Sequence, residues 1–227
     1  SNNVAVGGAA LGANTTGTSN VAVGRDALST NTTASGNIAM GHGALRNNTT
    51  GAEGTAVGDG SMSANTTGAS NTALGAQTLA ANTTGGSNVA IGAYALNDNT
   101  TGGTNVAIGV TALDANTTAS NNTAVGYAVL TASSGATNTG VGGSALLAVT
   151  TATGNTAIGH QAGSYATTAG SCTFLGRDTQ ASSATSAGHE IAIGANAVGK
   201  GASTGFMNAN GGANYAGNNS ASWSTTS

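Results

Sequence analysis

Proline is absent from this chain, cysteine occurs once, and lysine and arginine together number four in 227 residues. Each absence removes a class of protein. Without proline, every residue is free to donate its backbone N–H to a neighbouring strand. The single Cys172 excludes an intramolecular disulfide framework and a cysteine-rich metal site. So few cations, with a net charge of -3, leave no basic stripe to neutralise phosphates, which argues against nucleic acid and anionic membranes as partners. No apolar run approaches the length that spans a bilayer, so no membrane insertion is expected, and no signal peptide is visible. Aromatic residues make up 3% and charged residues 5% of the chain, too little for an ordinary α/β enzyme. The chain starts at Ser1, without a methionine and already inside a repeat, and reads as a piece of something longer.

What the chain has instead is glycine, 38 residues of it, among serine, threonine and asparagine. That composition alone would suit a disordered chain. The order of the residues argues otherwise. An anchor glycine recurs every seventeen residues from Gly7 through Gly24 and Gly41 to Gly126, then at Gly142, Gly159, Gly176 and Gly194 with one deletion and one insertion. Twelve copies of one unit follow, each too small to bury its own apolar face without stacking on its neighbours.

The columns of the repeat define local structure. Three residues before each glycine stands a β-branched residue (Val4, Ile38, Thr72, Val89, Ile191), and directly before the glycine an aliphatic one or Met (Val6, Met40, Leu74, Ile91, Ile193). Both types suit a strand, whose side chains at i and i+2 share a face. Between them, on the other face, eleven of twelve copies place Ala or Gly, with Phe174 the exception. After the glycine come two variable residues, a small residue and a Leu or Met column (Leu11, Leu28, Met62, Leu146), which predicts a second, shorter strand. Asn-Thr-Thr follows in seven successive copies led by Asn14 to Asn116, a sequence suited to a turn because Asn closes hydrogen bonds on its own backbone.

Each unit thus reads strand, glycine bend, strand, polar turn, and the fold class is all-β: a parallel β-solenoid of about twelve 17-residue coils. At roughly 4.8 Å per coil the stack is expected to run about 55 Å. A helical reading fails, since no apolar stripe of 3.6-residue period persists. Residues 1–200 form the repeat shaft and residues 201–227 a non-repeat C-terminal cap or tip. About three aliphatic side chains per coil make a thin core, so the chain is expected to associate. The aliphatic columns are assigned to the interior. The stripe of Ala5, Ala22, Ala39, Ala56, Ala73, Ala90, Ala107, Ala124, Ala157 and Ala192 is assigned to a symmetry axis, where it admits a partner's backbone; the reverse assignment keeps the oligomer and swaps the two walls.

The Asn-Val-Ala-Ile-Gly motif at Asn88–Gly92 and Asn105–Gly109 resembles the head repeats of trimeric autotransporter adhesins, which have a shorter period. The longer unit with Ala-Leu and Asn-Thr-Thr-Gly is similar to repeats of bacteriophage tail fibres. This resemblance covers roughly residues 1–200 and implies a left-handed parallel β-roll wound as a homotrimer. Beyond Gly194 the repeat fades. The stretch from Gly201 to Ser227, with Phe206, Tyr215 and Trp223, looks like the flank before the intramolecular chaperone of endosialidase-type tail spikes, which implies self-cleavage after Ser227.

No catalytic constellation emerges. His42 and His160 share the variable column after the glycine and read as surface residues. His189 and Glu190 lie in the insertion, and Arg25-Asp26 and Arg177-Asp178 occupy equivalent exposed columns. Cys172 replaces a column Asn and, with Phe174, signals a local change of packing rather than a reactive thiol. The Asn-Thr-Thr turns match N-glycosylation acceptors, but turn geometry explains their recurrence. No cofactor and no metal are expected.

The functional expectation is a non-enzymatic structural fibre: a homotrimeric tail-fibre-like shaft with a receptor-binding role in host attachment, on a virion or an extracellular appendage. Its partners are two identical chains and a cell-surface receptor, with glycan a candidate. Phe206, Tyr215 and Trp223 are the candidate cap or receptor site, and the variable pair including Tyr94 and Tyr127 is the lateral alternative. Other readings are a bacterial surface adhesin head and an ice-binding solenoid with Thr15-Thr16 and its equivalents as the ladder.

Overall fold

The computed structural model describes residues 2–185, 188–209, 212–216 and 224–226. It is an all-β parallel solenoid of about twelve coils, with no helix among the described residues. The chain divides into two compact units, Ser1–Asn121 and Asn122–Ser227.

The first unit carries one three-residue strand per coil: β1 (Val4–Val6), β2 (Val21–Val23), β3 (Ile38–Met40), β4 (Thr55–Val57), β5 (Thr72–Leu74), β6 (Val89–Ile91) and β7 (Val106–Ile108). Each pairs in parallel with the next at a register of one repeat, as Val4 with Val21 and Val89 with Val106. The second unit begins with β8 (Thr123–Val125), β9 (Thr139–Val141), β10 (Thr156–Ile158), β11 (Thr173–Leu175) and β12 (Ile191–Ile193). The ladder there absorbs the deletion and the insertion without changing faces, since Thr123 pairs with Thr139 and Thr173 with Ile191. Beyond residue 200 the ladder changes direction. β13 (Gly205–Ala209) is still parallel to β12, whereas β14 (Gly212–Ala216) and β15 (Ser224–Thr226) pair antiparallel.

Each strand ends at the anchor glycine for two reasons that act together. Gly92 has φ +120°, and a Cβ there would lie 2.7 Å from the carbonyl of Gly109 in the next coil. Only glycine meets both conditions.

Two expectations are corrected here. The first concerns the walls. Ala22, Ala39, Ala56, Ala73, Ala90 and Ala107 are fully buried, as are Ala124, Ala157 and Ala192, while the flanking columns face outward, with Met40 42% and Leu74 48% exposed. Only Ala5, in the terminal coil, is exposed. The reversal follows from volume. Leu, a second alanine column and asparagine already fill the coil interior, which leaves room for one methyl beneath the strand.

The second correction concerns the Leu column, which forms no strand. Leu28, Leu45 and Leu96 have φ of 50°, 50° and 51°, in the left-handed region, and their side chains are fully buried. Left-handed backbone costs an L-residue roughly 1–2 kcal/mol. Burial of a leucine side chain stabilises by about 1.5–3 kcal/mol and offsets it. The stacking bonds continue regardless, since Leu28 N donates to Ala44 O at 3.0 Å and Leu45 N to Ser61 O at 3.0 Å. Among the described residues, strand-like pairing in this column occurs only as the bridge between Gln180 and Val198.

Candidate functional site

Two interior ladders of asparagine hold the coils. In the first, the turn asparagines stack through their own amides. Asn48 Nδ2 donates to Asn31 Oδ1 at 3.1 Å and to the Gly51 carbonyl at 2.9 Å, and its Oδ1 accepts from Asn65 Nδ2 at 2.8 Å. The same contacts recur from Asn14 to Asn116. In the second, the asparagine that precedes most of the strands, with Gly54, Cys172 and Glu190 in its place before β4, β11 and β12, closes its own coil and supports the next. Asn88 Nδ2 donates to Gly102 O at 2.9 Å, and its Oδ1 accepts from Asn105 N at 3.0 Å. From Asn31 to Asn99 the turn asparagines are fully buried, as are Asn88 and Asn105, and hydrogen bonds to their amides are what make their burial tolerable. The buried turn asparagines are therefore not available as glycosylation acceptors. Sequence reasoning treated them only as turn formers; their strict recurrence beside short side chains was the signal that they lie inside.

The first threonine of each turn adds a third column of bonds, as Thr49 Oγ1 donates to Thr66 O and Thr66 Oγ1 to Thr83 O, both at 3.0 Å. A Thr ladder of this kind has its hydroxyls committed to carbonyls. The second threonine of each turn, such as Thr50 or Thr84, is exposed.

Outside, the strands present an uncharged aliphatic face, described for each unit separately. On the first unit it consists of the outward residues of β1 to β7, all aliphatic except Thr55 and Thr72. On the second unit four of the five strands β8 to β12 carry a threonine in the first outward position. Charge is confined to the loops. Arg25 Nη2 donates to His42 Nε2 at 2.8 Å, so His42 Nδ1–H donates to Asp59 Oδ1 at 2.9 Å, a chain of exposed groups across three coils. Arg177 Nη1 donates to Asp178 Oδ2 at 2.9 Å, and His160 lies 3.9 Å from the same carboxylate group. Such solvated pairs contribute little stability. Burial, reinforced by the nearby Asp98 carboxylate, raises the pKa of Asp114.

Among the described residues no three His, Cys, Asp or Glu side chains come together as a metal ion requires. Glu190 is fully buried in the asparagine column and accepts from Ser182 N at 2.8 Å and from the Ser182 hydroxyl. Cys172 is buried in the same column, its N–H donating to Asn155 Oδ1 at 2.9 Å; burial first, and then the Glu190 carboxylate, push its thiol above the ordinary range. A thiol held neutral in this way is not an activated nucleophile.

The C-terminal candidates separate. Phe206 is buried in β13, with Lys200 Nζ 5.0 Å above its ring. Tyr215 lies in β14 opposite Phe206 in register. Trp223 and Ser227 lie outside the described residues. Of the lateral candidates, Tyr94 and Tyr127 are both exposed, Tyr127 by 67%.

Compared with protein-family models, with curated proteins and with solved structures, the chain matches none. The resemblance to fibre and adhesin repeats therefore rests on the repeat motif and on the solenoid itself.

Proposed function

We propose that this chain is a structural fibre protein, the shaft of a homotrimeric tail-fibre-like appendage that serves host attachment. The observation that carries the reading is the pairing of a stiff interior with an unfinished exterior. Within each unit, backbone ladders and buried amide ladders run from coil to coil, which resists bending. Outside, aliphatic residues that a self-sufficient solenoid would bury stand in water. Exposed variable residues such as Tyr94 and Tyr127 are the surfaces left for a receptor, and aromatic rings of this kind suit stacking on sugars. The location that follows is a virion tail fibre or an extracellular appendage.

Native mass by sedimentation equilibrium tests this reading. The expected result is a species near three times 21.1 kDa. A folded monomer overturns it.

A further inference from the structure

We infer that copies of this chain associate through the outward aliphatic face of β1 to β7 and not through the corresponding face of β8 to β12. The inference rests on the fibre reading and names the surface that it requires.

The face on the first unit is the wider apolar one. Seven in-register strands place fourteen side chains outward, of which all but Thr55 and Thr72 are aliphatic or Met, and Met40, Leu74 and Ile108 are among those more than a third exposed. A contiguous strip of this kind reaches on the order of several hundred Å², at the upper end of the patches soluble monomers leave in water and in the range that marks interaction surfaces. It approaches the roughly 800 Å² that each partner of a stable pair covers. No charged residue stands in either outward column, so covering the strip desolvates no ion.

The occupant follows from the axial repeat. Side chains spaced by strands roughly 4.8 Å apart fill matching gaps over seven coils only if the partner has the same spacing. A second copy of this chain has that spacing and the same uncharged columns.

The second unit differs by one atom type at the decisive column. Thr123, Thr139, Thr156 and Thr173 stand where the first unit has mostly valine or isoleucine. Covering those hydroxyls with another chain's aliphatic groups removes them from water without supplying a partner, which costs free energy. Threonine and valine have nearly the same shape, so the difference lies in what the surface gains on association rather than in whether the coil folds.

The test uses the full chain with two matched double substitutions, Ile38→Lys with Met40→Lys on β3, and Thr156→Lys with Ile158→Lys on β10. The β3 positions and Ile158 are well exposed, and Thr156 is partly so, so the coils tolerate the longer side chains. The β3 variant is expected to keep its circular dichroism and fall to a 21.1 kDa species, its dissociation constant raised at least a hundredfold, while the β10 variant stays assembled. Should the β3 variant fail to fold, Ile38→Thr with Met40→Thr, which copies the residue type of Thr55, is expected to weaken assembly at least tenfold. An assembly that the β3 substitutions leave intact, or that both pairs break equally, overturns the inference while the fibre reading stands. A dimer broken only by the β3 pair supports the inference and overturns the trimer. A wild-type monomer overturns both.

Discussion

Asn65 satisfies three neighbours at once: its amide donates to Asn48 Oδ1 at 2.8 Å and to Gly68 O at 3.0 Å, and its carbonyl accepts from Asn82 at 2.8 Å. Alanine at this position takes the donor from Asn48 Oδ1 and from Gly68 O and removes one of the two acceptors of Asn82 Nδ2, which keeps its bond to Gly85 O at 3.0 Å. With each orphaned group costing about 1–3 kcal/mol and some relaxation between them, Asn65→Ala is expected to lose roughly 2–4 kcal/mol by urea denaturation. Asn65→Asp separates polarity from charge. Its carboxylate faces two acceptors and is repelled by both, whereas the protonated acid donates one bond. The folded-state pKa of the new acid therefore lies above its unfolded value of about 3.9, and the folded state binds the proton more tightly. Stability is greatest below that value and falls as pH rises through it toward the folded pKa. A flat pH profile for this variant would show that the ladder is not read by charge.

Compensation between neighbouring coils is the lesson at the scale of the element. Gly163, φ +64°, stands in the Leu column, and a Cβ there would lie 2.6 Å from Phe174 Cδ2 and 2.9 Å from Leu146 Cδ2. Phe174 sits in the alanine column one coil on, fully buried, so its ring occupies the volume that a leucine fills elsewhere. Gly140 answers Val129 in the same way, since a Cβ would meet Val129 Cγ1 at 2.6 Å. Phe174→Ala alone opens a cavity and is expected to cost about 3–5 kcal/mol. Gly163→Leu alone overpacks. The double variant restores the usual coil, so it should be more stable than either single, with a coupling of at least about 1 kcal/mol in thermal denaturation. Additive effects would mean that the two positions do not share one space. Sequence periodicity exposed the strands because β-branched residues and glycine recur at fixed offsets, but it did not choose between the walls. Alternation reports which side chains share a face, not which face is inside. The Leu column was misread as a strand because leucine rarely adopts positive φ. Gly163 in that column was the one residue whose presence pointed to left-handed backbone.

For the molecule as a stack, the candidate surface was the least legible feature. A thin core was readable from composition, and partner chains were an expectation drawn from it. The surface offered to them depended on the reversal of the walls, which volume decides and periodicity does not. The coil count was legible because in each unit a coil contacts mainly the coils before and after it, which makes stability close to a sum over coils and interfaces. That additivity predicts how the chain tolerates loss. Removing Asn71–Ser87, seventeen residues spanning one strand and one turn, joins Ser70 to Asn88 and brings Asn99 to the acceptor on Asn65 that Asn82 had used. Every ladder of the first unit is then continuous again. The shortened chain is expected to fold with an unchanged circular dichroism shape, a urea m-value reduced in proportion to the surface lost, and a midpoint lowered by less than about 1 M. Removing only Asn71–Thr78 instead sets a turn against a strand, places Leu79 in the buried asparagine column and puts Thr83 at the anchor position, where Gly75 has φ +133° and no room for a Cβ, so that chain should not fold. If both deletions were tolerated equally, register would not be what holds the coils together, and the asparagine ladders would be a consequence of the stack rather than its cause.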